Sequence, residues 1–262
     1  MGLPMARQLR ESGYDVWGFD IRPVNDFDGF QDRMIEDPAE FAGRVDTVVS
    51  IVRDWKQTQD LCFDVQGLFG CADHPTALVV SSTLSPRVLT LLKDRLPDDV
   101  KVVDAPMSGA PYRAATGTLT FMVGGNETVV NLLMPVFRVM GQDIHHLGSV
   151  GAGLACKVVN NFVASAGVVA VRKALEAAEA LGIERETILD VMSSSSGGTW
   201  FGNNFNAIDW SAEGYDPLNT MGILEKDMMS FLDAMDGLSD NDGGVFEQAI
   251  IDHLRNMEVL PK

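Results

Sequence analysis

The chain has 262 residues, 46% hydrophobic and 22% charged, ordinary proportions that exclude disorder, collagen-like repeats and low-complexity scaffolds. Its 37 acidic and 20 basic residues give a formal charge of −17, a field that repels phosphate backbones and anionic membrane surfaces. Neither nucleic acid nor a membrane is therefore an expected partner. The charge serves solubility in any case, but a small anionic substrate would need a local positive group, which draws attention to any interior Lys.

The longest apolar run, residues 162–171, stops at Arg172 and Lys173, short of the ~20 residues that span a bilayer, so no transmembrane helix is expected. No basic start followed by a long apolar run opens the chain, so no signal peptide is expected. Cys62, Cys71 and Cys156 are widely spaced without a C-x-x-C pair, which fits a reducing cytoplasm and no structural zinc. His145 and His146 are adjacent and in a strand would point to opposite faces, so no metal site is expected.

In chain order, Gly2, Pro4, Met5, Ala6 and Leu9 open directly into a helix. Residues 14–20 (YDVWGFD), 46–52 (DTVVSIV), 77–83 (ALVVSST) and 100–105 (VKVVDA) are β-branched or aromatic runs separated by helical patterning. That alternation predicts an α/β, Rossmann-like, doubly wound parallel sheet. Further strands are expected at 118–124 and 143–147, with a helix over 127–140 between them. The texture changes after Gly148, where residues 151–181 read as one helix of ~45 Å, closed by Gly182. Helices are also expected at 184–193, 217–236 and 243–257, separated by turns such as SSSSGGT at 193–199. The expected division is therefore a Rossmann-like domain over 1–148 and an all-α domain over 149–262, built on one long helix.

Gly2 stands where the last glycine of a G-x-G-x-x-G turn would stand, and Asp20 follows 18 residues later, where an acid would take the ribose hydroxyls of a dinucleotide. A glycine at a helix start is also an ordinary cap. An acid at Asp20 repels a 2′-phosphate and favours NAD over NADP, whereas Arg22 close by would receive that phosphate, so NADP stays possible.

Residues 104–125 read DAPMSGAPYRAATGTLTFMVGG and residues 151–161 read GAGLACKVVNN. With SSTLSP at 81–86 and EKDMM at 225–229, this set resembles the β-hydroxyacid dehydrogenase family, which includes 3-hydroxyisobutyrate dehydrogenase, tartronate semialdehyde reductase and 6-phosphogluconate dehydrogenase. The resemblance covers nearly the whole chain. It implies an NAD(P)-dependent oxidoreductase that interconverts a small 2- or 3-hydroxy acid and its aldehyde or keto acid.

The resemblance also implies roles for particular residues. Lys157 would be the general acid/base, its pKa lowered by partial burial, and Asn161 would hold the substrate hydroxyl or carboxylate with Asn160 as helper. Without the family pattern, Lys157 reads as a Lys snorkelling from an apolar helix. Ser108, with the backbone at Gly109 and Ala110, would seat the substrate carboxylate; alone, the turn is an ordinary strand end. Thr83, Val52, Arg53 and Lys226 would contact the cofactor, with Arg53 standing where the family has Pro. As alternatives, Thr83 is a helix N-cap and Lys226 a solvated charge. Tyr112, Arg113, Trp200, Phe201 and Asn204 are candidates for the pocket lining or for core packing.

The family opens on a strand and a G-x-G-x-M-G turn, whereas this sequence opens on the Met-Gly that would end it, so Met1 reads as an internal Met and the fold's first strand as missing. After Lys226 about one helix of the family pattern is also expected to be absent. Ala110 replaces the second glycine of the usual S-G-G, adding a methyl group near the carboxylate seat. A homodimer or homotetramer is expected from the apolar face of the long helix. The rival expectation is a non-catalytic family member that acts as a binding or interaction protein.

Overall fold

The computed structural model describes residues 1–238 and 244–260, so the start of the helix expected at 243–257 lies outside the described residues. The chain forms two compact units, Met1–Lys157 and Val158–Lys262. The division falls nine residues beyond the change of texture at Gly148, inside the long helix.

The first unit contains, in order, α1 (Gly2–Glu11), α2 (Pro38–Arg44), β1 (Thr47–Ser50), α3 (Trp55–Cys62), β2 (Ala77–Val80), α4 (Val88–Lys93) and β3 (Lys101–Asp104). Then come β4 (Met107–Ser108), α5 (Pro111–Ala115), β5 (Leu119–Val123), α6 (Glu127–Met140) and β6 (Gly141–His146). Strands β1, β2 and β3 are parallel in that order, with Thr47 opposite Ala77 and Ala77 opposite Lys101. The sheet is buried on both faces, which is why its strands read as unbroken β-branched runs. Along β2 the pleat alternates: Leu78 and Val80 pack with Phe41, Leu61 and Leu92, whereas Val79 packs with Met5, Leu9, Val103 and Phe137. Helices α2, α3 and α4 therefore serve one face and α1 and α6 the other, the doubly wound arrangement expected.

Strands β4, β5 and β6 form a second ladder, antiparallel between β4 and β5 and parallel between β5 and β6. A bridge between Asp104 and Gly124 continues β3 toward it.

One strand expectation fails. Residues 14–20 are extended but not laddered, and their one bridge joins Gly18 to Met34. The alternating pattern is real, since Trp17 and Phe19 pack into the core and Val16 into the opposite cluster. A strand also needs a hydrogen-bonded neighbour, and no described segment supplies one beyond the Gly18 backbone bonds to Arg33 and Ile35.

The helix α7 (Ala152–Ala180) begins in the first unit and runs on into the second, which adds α8 (Arg185–Ser193), α9 (Trp200–Asn203), α10 (Thr220–Met235) and α11 (Val245–Arg255). Although the run 162–171 is short, α7 as a whole is long and apolar enough to cross a membrane by length and composition alone. It instead presents a buried polar row to protein, with Lys157, Asn161, Ser165 and Arg172 all below 9% exposed. The core of the second unit gathers Val168, Val171 and Leu175 of α7 with Phe201, Met221, Met228 and Ile251.

Candidate functional site

Carboxyl ends of parallel strands collect backbone groups that the sheet leaves free, and they are where an α/β domain binds its ligand. Asp20 ends the extended segment 14–20, and its carboxylate accepts from the Arg22 backbone N–H at 3.0 Å and from the Arg22 guanidinium at 3.2 Å. Arg22 lies 4.7 Å from the centre of the Phe27 ring. The hydrogen bond to Asp20 raises the guanidinium's pKa further. Asp20 and Arg22 line an open groove of about 510 Å³ together with Phe19, Glu36, Pro38 and Gln66.

Val52 and Arg53 follow β1, both half-buried, with the Arg53 N–H bonded to Gln57 Oε1 at 2.9 Å. Thr83 lies beyond β2 and is not a helix cap, since α4 begins at Val88. The hydroxyls of Ser50, Ser81 and Ser82, at these strand ends, are buried and have no hydrogen-bond partner among the described residues. Gly2 opens α1, where a methyl group added at its Cα would meet only Ile51 Cδ1 at 3.8 Å. Close packing therefore does not require glycine there.

Ser108 ends β4 and Gly109 follows at φ +134°, a conformation that excludes most side chains. A Cβ at Gly109 would also lie 3.0 Å from Leu119 and 3.1 Å from Arg113. Ala110 caps the short helix α5.

The run that begins at Asp104 does more than end a strand. Asp104 is wholly buried, and its carboxylate accepts from the N–H groups of Gly151 at 2.6 Å and Leu154 at 2.7 Å, the first turn of α7. Burial pushes its pKa above the usual carboxylate range, and the N–H donors of Gly151, Leu154 and Gly153 pull it back part of the way. The approach is so close that a Cβ at Gly153 would sit 2.3 Å from Met122 O and 2.9 Å from Asp104 Oδ2. One at Gly124 would sit 2.5 Å from Asp104 Oδ1. These contacts account for one glycine in each sequence block, Gly124 and Gly153.

Lys157 is 6% exposed, two turns into α7, and is not a snorkelling surface residue. Asn161 follows one turn later on the same face, 8% exposed. Its Nδ2 donates to Asp227 Oδ2 at 2.5 Å, and its Oδ1 accepts from Asn160 Nδ2 at 3.1 Å. Lys226 Nζ lies 2.6 Å from Asp227 Oδ1, so it is a paired, mostly buried cation and not a solvated one.

The structure thus joins Asn160, Asn161 and Lys226 through Asp227, while Asp20 ends the extended segment 14–20 and Thr83 and Ser108 follow or end separate strands of the first unit. Sequence reasoning placed Asp104 and Asp227 within the family blocks but gave neither a role of its own. The available signal was an acid inside an apolar run, at Asp104 after Val102 and Val103 and at Asp227 beside Leu224, Met228 and Phe231. Among the pocket candidates, Phe201 belongs to the core, 2% exposed and stacked on Trp210, whereas Tyr112 and Trp200 are exposed.

Comparison with known proteins gives this arrangement its class. Residues 1–148 match the NAD binding domain of 6-phosphogluconate dehydrogenase, and residues 151–239 match the NAD-binding domain of NADP-dependent 3-hydroxyisobutyrate dehydrogenase. The chain belongs to the β-hydroxyacid dehydrogenase family, enzymes that use NAD(P). It is 28% identical to the L-threonate dehydrogenase of Cupriavidus necator over 89% of this chain and 80% of that one. It is 32% identical to an NAD-dependent L-serine dehydrogenase of Pseudomonas aeruginosa over 76% and 68% of the two chains. Among solved structures, Mycobacterium tuberculosis 3-hydroxyisobutyrate dehydrogenase with L-serine superposes with a TM-score of 0.74 at 25% identity, covering 98% of this chain and 92% of that one.

Proposed function

We propose that the protein oxidises a small 2- or 3-hydroxy acid to its aldehyde or keto acid, or runs the reverse reduction, with Lys157 as the acid/base. The observation that carries this reading is the burial of Lys157 and Asn161 on one face of α7, a place where a Lys is kept only for a purpose worth its desolvation. The alternative of a non-catalytic binding protein has no comparable observation in its favour.

The residues at the strand ends fit a dinucleotide. The groove at Asp20 offers a carboxylate acceptor beside the extended segment 14–20, and the buried Ser50, Ser81 and Ser82 hydroxyls at the carboxyl side of the sheet lie outside its lining. Asp20, Val52, Arg53, Thr83 and Lys226 would hold the cofactor, with Gly2 at the start of α1. When bound, NAD(P) supplies the hydride acceptor or donor. Because Arg22 is engaged by Asp20, the reading favours NAD over NADP.

Ser108 and the backbone of Gly109 and Ala110 would seat the substrate carboxylate, and Asn161, with Asn160, would hold the hydroxyl. Lys157 Nζ takes the hydroxyl proton in oxidation and returns it in reduction. In this reading residues 1–148 bind the cofactor and 149–262 serve substrate and assembly. Exposed Val159 and Val163 on α7 support a homo-oligomer, a dimer or tetramer, and three free cysteines support a reducing cytoplasm.

The relatives' substrates set the assay: 3-hydroxyisobutyrate, L-serine and L-threonate, each with NAD+ and NADP+, on wild type and Lys157→Met. A kcat loss of about 10²–10⁴-fold in the variant, with NADH affinity and thermal midpoint retained, supports the role. Turnover of none of the three acids, or a fully active variant, rejects it.

A further inference from the structure

Asp227 is 3% exposed on a helix face otherwise made of Leu224, Met228 and Phe231. A carboxylate in such surroundings persists only with partners that compensate its lost hydration. It has two. Asn161 Nδ2 donates to Oδ2 at 2.5 Å, and the Lys226 ammonium forms an ion pair with Oδ1 at 2.6 Å.

This arrangement fixes the Asn161 carboxamide. A carboxylate accepts only, so the amide nitrogen must face Asp227, and Oδ1 is left toward Asn160 Nδ2 at 3.1 Å. Flipping the amide would set oxygen against oxygen on one side and nitrogen against nitrogen on the other. The four side chains form one row, Asn160, Asn161, Asp227 and Lys226, with the ammonium charge at its end.

We propose that Asp227 is a positioning residue that orients Asn161 and couples it to Lys226, so that cofactor binding strengthens hydroxy-acid binding. The inference rests on the assignment above of Lys226 to the cofactor and Asn161 to the substrate. An anionic dinucleotide that draws the ammonium off Oδ1 leaves the full carboxylate charge to Asn161. The charge-assisted hydrogen bond then tightens, and the carboxamide meets the substrate already ordered. By linkage the hydroxy acid strengthens cofactor binding by the same factor.

The test is calorimetric titration of the best panel acid (3-hydroxyisobutyrate, L-serine or L-threonate) into the protein, with and without saturating NADH, a pair that cannot react. Wild type is expected to bind the acid about tenfold tighter with NADH, within the usual range of coupling. In Asp227→Asn and in Lys226→Gln the gain falls below about twofold at an unchanged thermal midpoint, a loss that a merely structural role would not produce.

A full gain in Asp227→Asn overturns the proposal. Should that variant not fold, Lys226→Gln decides alone, since its side chain is only partly buried, and an undiminished gain there overturns the proposal equally. Asn161→Ala separates the two readings. Wild-type acid affinity in it overturns the substrate assignment together with this inference, whereas weak binding alongside a normal Asp227→Asn overturns the inference only.

Discussion

Asp104 and Leu154, 50 residues apart, are joined by a 2.7 Å hydrogen bond from the Leu154 N–H to the buried carboxylate, three residues before Lys157. The end of β3 therefore caps the helix that carries the proposed acid/base. A helix start has N–H groups with no partner of its own, and a buried start must find acceptors elsewhere.

Removing that acceptor should be costly. Asp104→Ala is expected to lose on the order of 2–4 kcal/mol, from two buried N–H groups at roughly 1–3 kcal/mol each with partial relaxation. Asp104→Asn should lose less, because its amide oxygen keeps one bond. The pH dependence has a definite sign. Burial raises the folded pKa, so between the ordinary Asp value and that raised value the unfolded chain gives up its proton first. Wild type therefore loses stability as pH rises through that window, while Asp104→Asn does not. Denaturant melts of both proteins from pH 3.5 upward should show their difference narrowing; a constant or widening difference would contradict the account.

Two glycines that look alike in sequence should behave in opposite ways. Gly153→Ala drives a methyl group to 2.3 Å from Met122 O and should destabilise by about 2 kcal/mol or more. Gly2→Ala meets Ile51 at an ordinary 3.8 Å on a helix and should be neutral or slightly stabilising, within about 1 kcal/mol. Thermal midpoints of the two variants make the comparison, and an equal loss in both would refute it.

Much of the scaffold was legible because it is local. β-branched runs located β1, β2 and β3, and the change of texture after Gly148 with the stop at Gly182 located α7 to within a residue. Lys157 and Asn161 were legible as a pair because i and i+4 share a helix face whatever surrounds them. What failed depends on partners distant in sequence. The segment 14–20 has strand chemistry, but a ladder depends on the neighbour. Asp104 and Asp227 take their importance from contacts 50 and 66 residues away, which no periodicity reports. Arg172 read as the polar end of an apolar run, yet it is 2% exposed while Lys173 beside it faces solvent.

Cofactor choice should turn on Asp20. Its carboxylate accepts from Arg22 on the backbone and on the guanidinium, so the cation that would receive a 2′-phosphate is neutralised where it stands. Asp20→Ala frees Arg22 and removes a negative charge from the same spot. The ratio of NADPH to NADH affinity should rise about tenfold or more, equal to ~1.4 kcal/mol. Adding Arg22→Ala should cancel most of that rise. Titration with both reduced cofactors measures it, and an unchanged ratio in Asp20→Ala would place the ribose elsewhere.

Arg172 should prove a structural lock of the second unit. Its guanidinium, on α7, donates to the backbone carbonyls of Ser211 at 2.9 Å and Glu213 at 2.8 Å, and also to that of Glu258 near the chain's end. Burial lowers its pKa, with Glu176 opposing that shift, but an Arg stays charged across the accessible pH range. The three carbonyls take up the terminal nitrogens of a cation otherwise buried at high cost, while Nε has no partner among the described residues, and in turn they pin the 211–213 loop and the terminal segment to the helix. Arg172→Met keeps the aliphatic packing and removes all the donors, leaving buried carbonyls without partners. The expected loss is on the order of 3–5 kcal/mol, with hydrogen exchange rising first at Tyr215, whose N–H bonds Met257 O, and at Leu260, whose N–H bonds Ala212 O. Arg172→Lys should recover little, because a single ammonium cannot span three carbonyls. If Arg172→Met melted within about 1 kcal/mol of wild type, these bonds would be exchangeable with water and the lock assignment would be wrong.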